Sequence, residues 1–109
     1  FRGEFLKNQN HYDLIITNGF LVHCLNIDET LNQLKYILNK NGLMIFTDEI
    51  NVKYHNPFHI NFWDEEIFAD ILKKRFKKID ILRNCGFPTY STHPFTKHKD
   101  NPDFFVYKN

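Results

Sequence analysis

Tyr12-Asp13-Leu14-Ile15-Ile16-Thr17-Asn18-Gly19 is the stretch that decides the fold. Asp13 to Thr17 form a short, nearly continuous apolar run, and Asn18-Gly19 ends it. Strands that face water on one side alternate apolar and polar residues. An unbroken run of this length predicts instead a strand buried on both faces, as in a parallel sheet. Parallel neighbours need a crossover, and the sequence supplies one. Ile27, Leu31, Leu34 and Leu38 recur at helical spacing, and Ile37 widens the apolar face. Asn26 followed by Glu29 has the form of a capping box, and Gly42 stands where a helix C-terminal glycine belongs. The pattern predicts an amphipathic helix over about residues 27–40.

Leu43-Met44-Ile45-Phe46-Thr47 reads as a second buried strand, closing on Asp48 and Glu49. A loop rich in Asn, His and Pro covers Asn51 to Asn61. Asp64-Glu65-Glu66 then opens another helix, with Phe68, Ile71, Leu72 and Phe76 on its inner face. Its acids at the start and its lysines and arginine at Lys73 to Lys78 both complement the helix dipole. Ile79 and Ile81 alternate with Asp80 in a third strand. A long loop from Asn84 to Pro102 leads to a fourth, Phe104-Phe105-Val106-Tyr107. Helical crossovers imply parallel neighbours among the first three strands, near 13–18, 43–48 and 78–83, joined by right-handed connections. The last strand, near 103–108, follows without a helix and should be antiparallel. The expected fold class is α/β: an open, mostly parallel sheet with a reversed final strand.

Composition narrows the function classes. The 109 residues suit a single domain of modest core. Fourteen basic and thirteen acidic residues leave a formal charge of +1, which predicts no strong pull on nucleic acid or anionic lipid. The sequence contains no basic segment followed by an apolar stretch of signal-peptide form, and no apolar run of about 18 residues. A soluble, cytoplasmic protein is expected, without a membrane partner. Cys24 and Cys85 lie far apart without Cys-x-x-Cys spacing, which favours a reduced intracellular pair over a disulfide framework. Asn, Phe, Ile and Lys lead the composition, all residues of AT-rich codons, so the lysines reflect the genome before they reflect a ligand.

Tyr12-Asp13-Leu14-Ile15-Ile16-Thr17-Asn18-Gly19-Phe20-Leu21-Val22-His23 resembles the strand-and-turn segment of class I S-adenosylmethionine-dependent methyltransferases. Leu34 and the run Leu38 to Asp48 resemble that family's helix-to-strand junction, with Asn41 in place of the first glycine of its usual pair. Arg2-Gly3-Glu4-Phe5-Leu6 is similar to the segment after the family's third strand, with Glu4 where aspartate is commoner. Asn101 to Lys108 is similar to its final antiparallel strand. The resemblance covers nearly the whole chain and implies a Rossmann-like partial domain. The 109 residues would be the C-terminal part of a methyltransferase domain whose glycine-rich N-terminal half is absent from this sequence. It implies S-adenosylmethionine as cofactor and a small-molecule acceptor. Glu4 and Phe5 would lie at the adenine end, and Asn18, Gly19 and Phe20 at the methyl end. His23 and Asp48 would be the catalytic candidates on the acceptor side.

The residues themselves leave alternatives open. In an open α/β sheet, ligands sit beyond the carboxyl ends of the strands. Asn18, Gly19, Phe20, Asp48 and Glu49 lie at such ends, and a glycine there lets a ligand approach the backbone. Asn18-Gly19 could equally do no more than end a strand. His23 could orient an acceptor or take its proton, or simply pack and hydrogen-bond. His55 and His59 are four apart, but Pro57 between them breaks a helical face and favours a polar loop over a metal site. Cys24 beside His23 invites a thiol-nucleophile reading, although adjacent residues usually point apart. The basic run Lys73 to Lys78 could meet nucleic acid, but dipole and codon bias account for it. Tyr54, Phe58, Phe62 and Trp63 form either an aromatic lid or a cover over the sheet and the next helix. Two other functions compete with methyl transfer: a non-catalytic α/β interaction module, and another nucleotide-binding α/β enzyme such as a dehydrogenase. A half-sheet would also expose apolar surface and invite a homo-oligomer or association with the missing half.

Overall fold

A computed structural model describes residues 11–48, 50, 60–83, 102 and 104–109. The segment carrying Glu4 and Phe5, the loop with Tyr54, His55, Phe58 and His59, and the stretch around Cys85 lie outside the described residues.

The described chain is a mixed α/β arrangement of strands β1 (Tyr12–Asn18), β2 (Leu38–Thr47), β3 (Ile79–Leu82) and β4 (Phe104–Lys108), with helices α1 (Ile27–Ile37) and α2 (Glu65–Lys73). A 3-10 turn, Leu21–His23, follows β1. The sheet order is β1-β2-β4-β3. β1 and β2 are parallel, and β4 is antiparallel to both β2 and β3. β1, β2 and β3 therefore share one direction and β4 runs against them, as the helical crossovers require.

The ladder corrects the expected sheet in one respect. β4 inserts between β2 and β3, so those two are not neighbours, and two of the three pairings are antiparallel. A sheet described by its pairings is not mostly parallel. The reason is that helical periodicity fixes the direction of a returning strand but not its neighbour; a later segment can take the intervening place.

Register puts two apolar rows on one face: Ile15, Met44, Tyr107 and Ile79, then Thr17, Phe46, Phe105 and Ile81. Both helices contribute to the core on this face through Leu31, Leu34 and Ile37 of α1 and Phe68, Ala69 and Leu72 of α2. Aromatic rings form much of the contact. Phe68 is edge-on to Phe105 at 4.9 Å and stacks with Trp63 at 5.0 Å, and Phe76 lies 4.7 Å from Tyr107. Trp63 thus covers α2, as the second reading of the aromatic loop has it.

Cap residues start each helix as the sequence requires. Asn26 Oδ1 accepts from the Glu29 amide at 3.1 Å, and Asp64 Oδ1 from the Ile67 amide at 2.8 Å. Arg75 binds Asp28 at 2.9 Å and Asn32 at 2.7 Å, and Lys35 donates to the Arg75 carbonyl at 2.8 Å, tying the end of α2 to α1.

Two expectations fail near residue 40. The helix stops at Ile37, and Gly42 lies inside β2 rather than capping α1. The left-handed residue is Asn41, at φ 66°, a conformation that asparagine tolerates better than most side chains. Register jumps here, from Tyr12 opposite Leu38 to Leu14 opposite Leu43. Gly42 is needed for close approach: a Cβ would meet Asn39 O and Leu38 Cδ1 at 2.7 Å.

β1 is also not buried on both faces. Leu14 and Ile16 are 51% and 57% exposed, on the face opposite the helices. Leu43, Ile45, Val106 and Phe104 share that face and are partly covered, beside exposed Leu82. An apolar run records that a strand can be buried on both sides, not that both sides are covered by the same stretch of chain.

Candidate functional site

β1 and β2 end together, with Asn18 opposite Thr47. This shared carboxyl edge gathers two stretches of chain, Asn18-Gly19-Phe20 with the 3-10 turn that follows them and Asp48, which lies 30 residues beyond Asn18 in the sequence. Gly19 has φ 57°, the left-handed region that favours glycine, and its amide donates to Thr47 O at 3.4 Å. Thr47 Oγ1 donates to Thr17 O at 2.9 Å, with Asn18 Oδ1 at 3.1 Å as a further acceptor. The two strand ends are thus tied by side chains where the ladder stops.

Asp48 is bound to the chain itself. Its Oδ2 accepts from Thr17 Oγ1 at 2.9 Å, and its Oδ1 from the Leu21 amide at 2.6 Å. Burial pushes its carboxyl above the ordinary value of 3.8, against the Thr17 hydroxyl and the amides of Leu21, Phe20 and Val22, which favour the charged form. The carboxylate sits at the start of the 3-10 turn, where backbone N–H groups lack partners within the turn. The other side of the turn is held by Asn61, whose Nδ2 donates to Leu21 O at 2.9 Å and Cys24 O at 2.8 Å. The amides of Ile60 and Asn61 both donate to Val22 O, at 2.8 and 3.0 Å.

Of the residues singled out from sequence, the structure brings Asn18, Gly19, Phe20 and Asp48 to one edge, with His23 half-buried at the end of the turn. Glu4 and Phe5 lie outside the described residues. Cys24 is buried, and its thiol donates to Phe20 O at 3.6 Å. Burial raises its pKa, so it is a packing residue of the turn and a poor thiolate. Sequence reading did not single out Thr17, Thr47 or Asn61. The threonines carried a signal, a hydroxyl closing each apolar run; Asn61 carried none. Among the described residues no helix is long and apolar enough to cross a membrane.

No protein-family model matches the chain, and no curated protein does.

Proposed function

We propose that this chain is the C-terminal part of a Rossmann-like, S-adenosylmethionine-dependent methyltransferase domain acting on a small molecule in the cytoplasm. The observation that carries the reading is the paired carboxyl edge of β1 and β2, where Asn18, left-handed Gly19 and Phe20 form an open turn beside Asp48. In open α/β sheets such an edge is where ligands bind. The reversed β4 supports the family reading too. Dinucleotide-binding sheets set consecutive parallel strands side by side, whereas here a reversed strand separates β2 from β3. That arrangement disfavours the dehydrogenase alternative.

The residues fit the methyl end of the cofactor in one respect: a glycine at φ 57° leaves backbone open to close approach. When bound, S-adenosylmethionine supplies an electrophilic methyl that the acceptor's lone pair takes as the carbon–sulfur bond breaks and sulfur keeps the bonding pair. Asn18, Gly19 and Phe20 would bound the methyl end, Glu4 and Phe5 the adenine end. His23 would orient the acceptor or hold the proton it gives up. Alignment of the acceptor supplies much of the rate in such a transfer.

Calorimetry with S-adenosylmethionine tests the reading, comparing these 109 residues with a longer parent that includes the preceding sequence. Binding by the parent and weak or no binding by the segment is the expected result. Tight binding by the segment alone would move the cofactor site, and no binding by the parent would overturn the reading.

A further inference from the structure

Asp48 ends β2 and, from sequence, would face the acceptor. Its geometry says something else. Both carboxylate oxygens are taken by the chain, Oδ2 by the Thr17 hydroxyl at 2.9 Å and Oδ1 by the Leu21 amide at 2.6 Å. Thr17 is buried at the end of β1, so its hydroxyl is a fixed donor that orients the carboxylate. The Leu21 amide belongs to the turn that follows Gly19 and Phe20 directly. One side chain therefore joins the end of β1, the end of β2 and the start of the turn.

We propose that Asp48 is a positioning residue: held by Thr17, it fixes the turn from Asn18 to Leu21 in the conformation that presents Gly19 and Phe20 to the methyl-donor end of the ligand. This rests on the methyltransferase reading and adds a role that the strand-end position alone does not assign. The physical basis is that the amides of Leu21, Phe20 and Val22 all turn toward this one carboxylate, which ends the neighbouring strand. Gly19 is the residue with the widest backbone choice, and the Gly19 amide bond to Thr47 O is long, at 3.4 Å. Asn61 anchors the carbonyls of Leu21 and Cys24, downstream of Gly19. The Phe20 carbonyl is held within the turn by the His23 amide at 3.1 Å, and the short bond from the Leu21 amide to Asp48 ties that turn to the end of β2. A hydrogen bond to an ionised acceptor is about twice as strong as a neutral one. Without it the turn samples other conformations, and apparent affinity falls in proportion to the competent fraction.

The test uses the full chain of the longer parent, with amide hydrogen exchange at Leu21 and S-adenosylhomocysteine affinity by calorimetry. Asp48→Ala is expected to speed exchange at Leu21 and to weaken binding about tenfold, as a competent fraction near one tenth would. Should Asp48→Ala fail to fold, Thr17→Val removes the orienting donor and should move both readouts in the same direction. Thr17→Ser keeps the hydroxyl and should restore both. Faster exchange with unchanged affinity overturns the proposal, because the turn would then have no bearing on the ligand. If the unaltered protein binds no S-adenosylhomocysteine, the methyltransferase reading fails and the proposal with it. If it binds and every variant binds equally well, the positioning role alone fails.

Discussion

Thr17 Oγ1 donates to Asp48 Oδ2 at 2.9 Å, across the ends of two parallel strands and 31 residues of sequence. The donor is buried, and burial is what raises the acceptor's pKa, so water does not readily replace either partner. Thr17→Val keeps the shape and removes the hydroxyl. A hydrogen bond to a charged group contributes about 1.5–3 kcal/mol, and the variant should lose stability in that range by urea denaturation. An unchanged midpoint would show that the bond adds nothing net.

The raised pKa of Asp48 gives stability a pH dependence of definite sign. Where the folded pKa exceeds the unfolded one, the folded state binds more protons between the two values. This contribution is fully present below the ordinary value of 3.8 and is lost as pH rises through the raised folded value. Asp48→Asn removes the titration. The stability of the unaltered protein relative to Asp48→Asn should therefore fall as pH rises through this window, then level off. A difference that grows with pH would mean that the hydrogen bonds from Thr17 and the turn outweigh burial.

Phe68 anchors α2 between Trp63 and Phe105 and is fully buried. Its truncation removes buried area and leaves a cavity beneath the helix. Phe68→Ala should cost about 3–5 kcal/mol, a large share of the stability of a small domain, and thermal unfolding checks it. A loss near 1 kcal/mol would mean that α2 collapses onto the sheet without its central ring.

Gly42→Ala tests the irregular start of β2. The added Cβ would meet a backbone carbonyl, Asn39 O, and a core side chain, Leu38 Cδ1, both at 2.7 Å. The side chain can give way and the carbonyl cannot without moving the register shift. Overpacking of this kind costs about 1–3 kcal/mol, read as a lower melting temperature. A neutral result would show that the bulge moves freely.

Glu4→Ala addresses the proposed adenine end, in the longer domain proposed above. Losing a hydrogen bond to a charged acceptor should raise the cofactor constant about ten- to a hundredfold while leaving the saturated rate largely intact. Steady-state kinetics separate the two. Unchanged cofactor affinity would remove Glu4 from the map.

Where sequence reading succeeded, the determinant was local. The run from Leu14 to Ile16 reads as a strand, Asn26 and Asp64 carry side chains that reach the amide three residues on, and Ile79 and Ile81 alternate about Asp80. Each of these follows from the 3.6- and 2-residue periods of the backbone or from the reach of one side chain. Strand direction followed as well, since a helix between two strands brings the chain back parallel. So did the strand-end positions of Asn18, Gly19 and Asp48, which stand beyond the paired ends of β1 and β2.

What the tertiary structure alone decided is every relationship in which two distant segments choose each other. β4 takes the place between β2 and β3, and no periodicity in Phe104 to Lys108 says which neighbour it will have. α1 ends at Ile37 because Leu38 pairs with β1 and residues 43–47 pair with β1 and β4, a competition that outweighs the helical spacing of Leu38. Asn61 binds the carbonyls of Leu21 and Cys24 from about 40 residues away with no local sign of it. Asp48 turns inward for the same reason. Its strand-end position was local, but its bonds to Thr17 and Leu21 depend on the register between two strands. Long-range pairing sets that register, and a linear sequence does not display it.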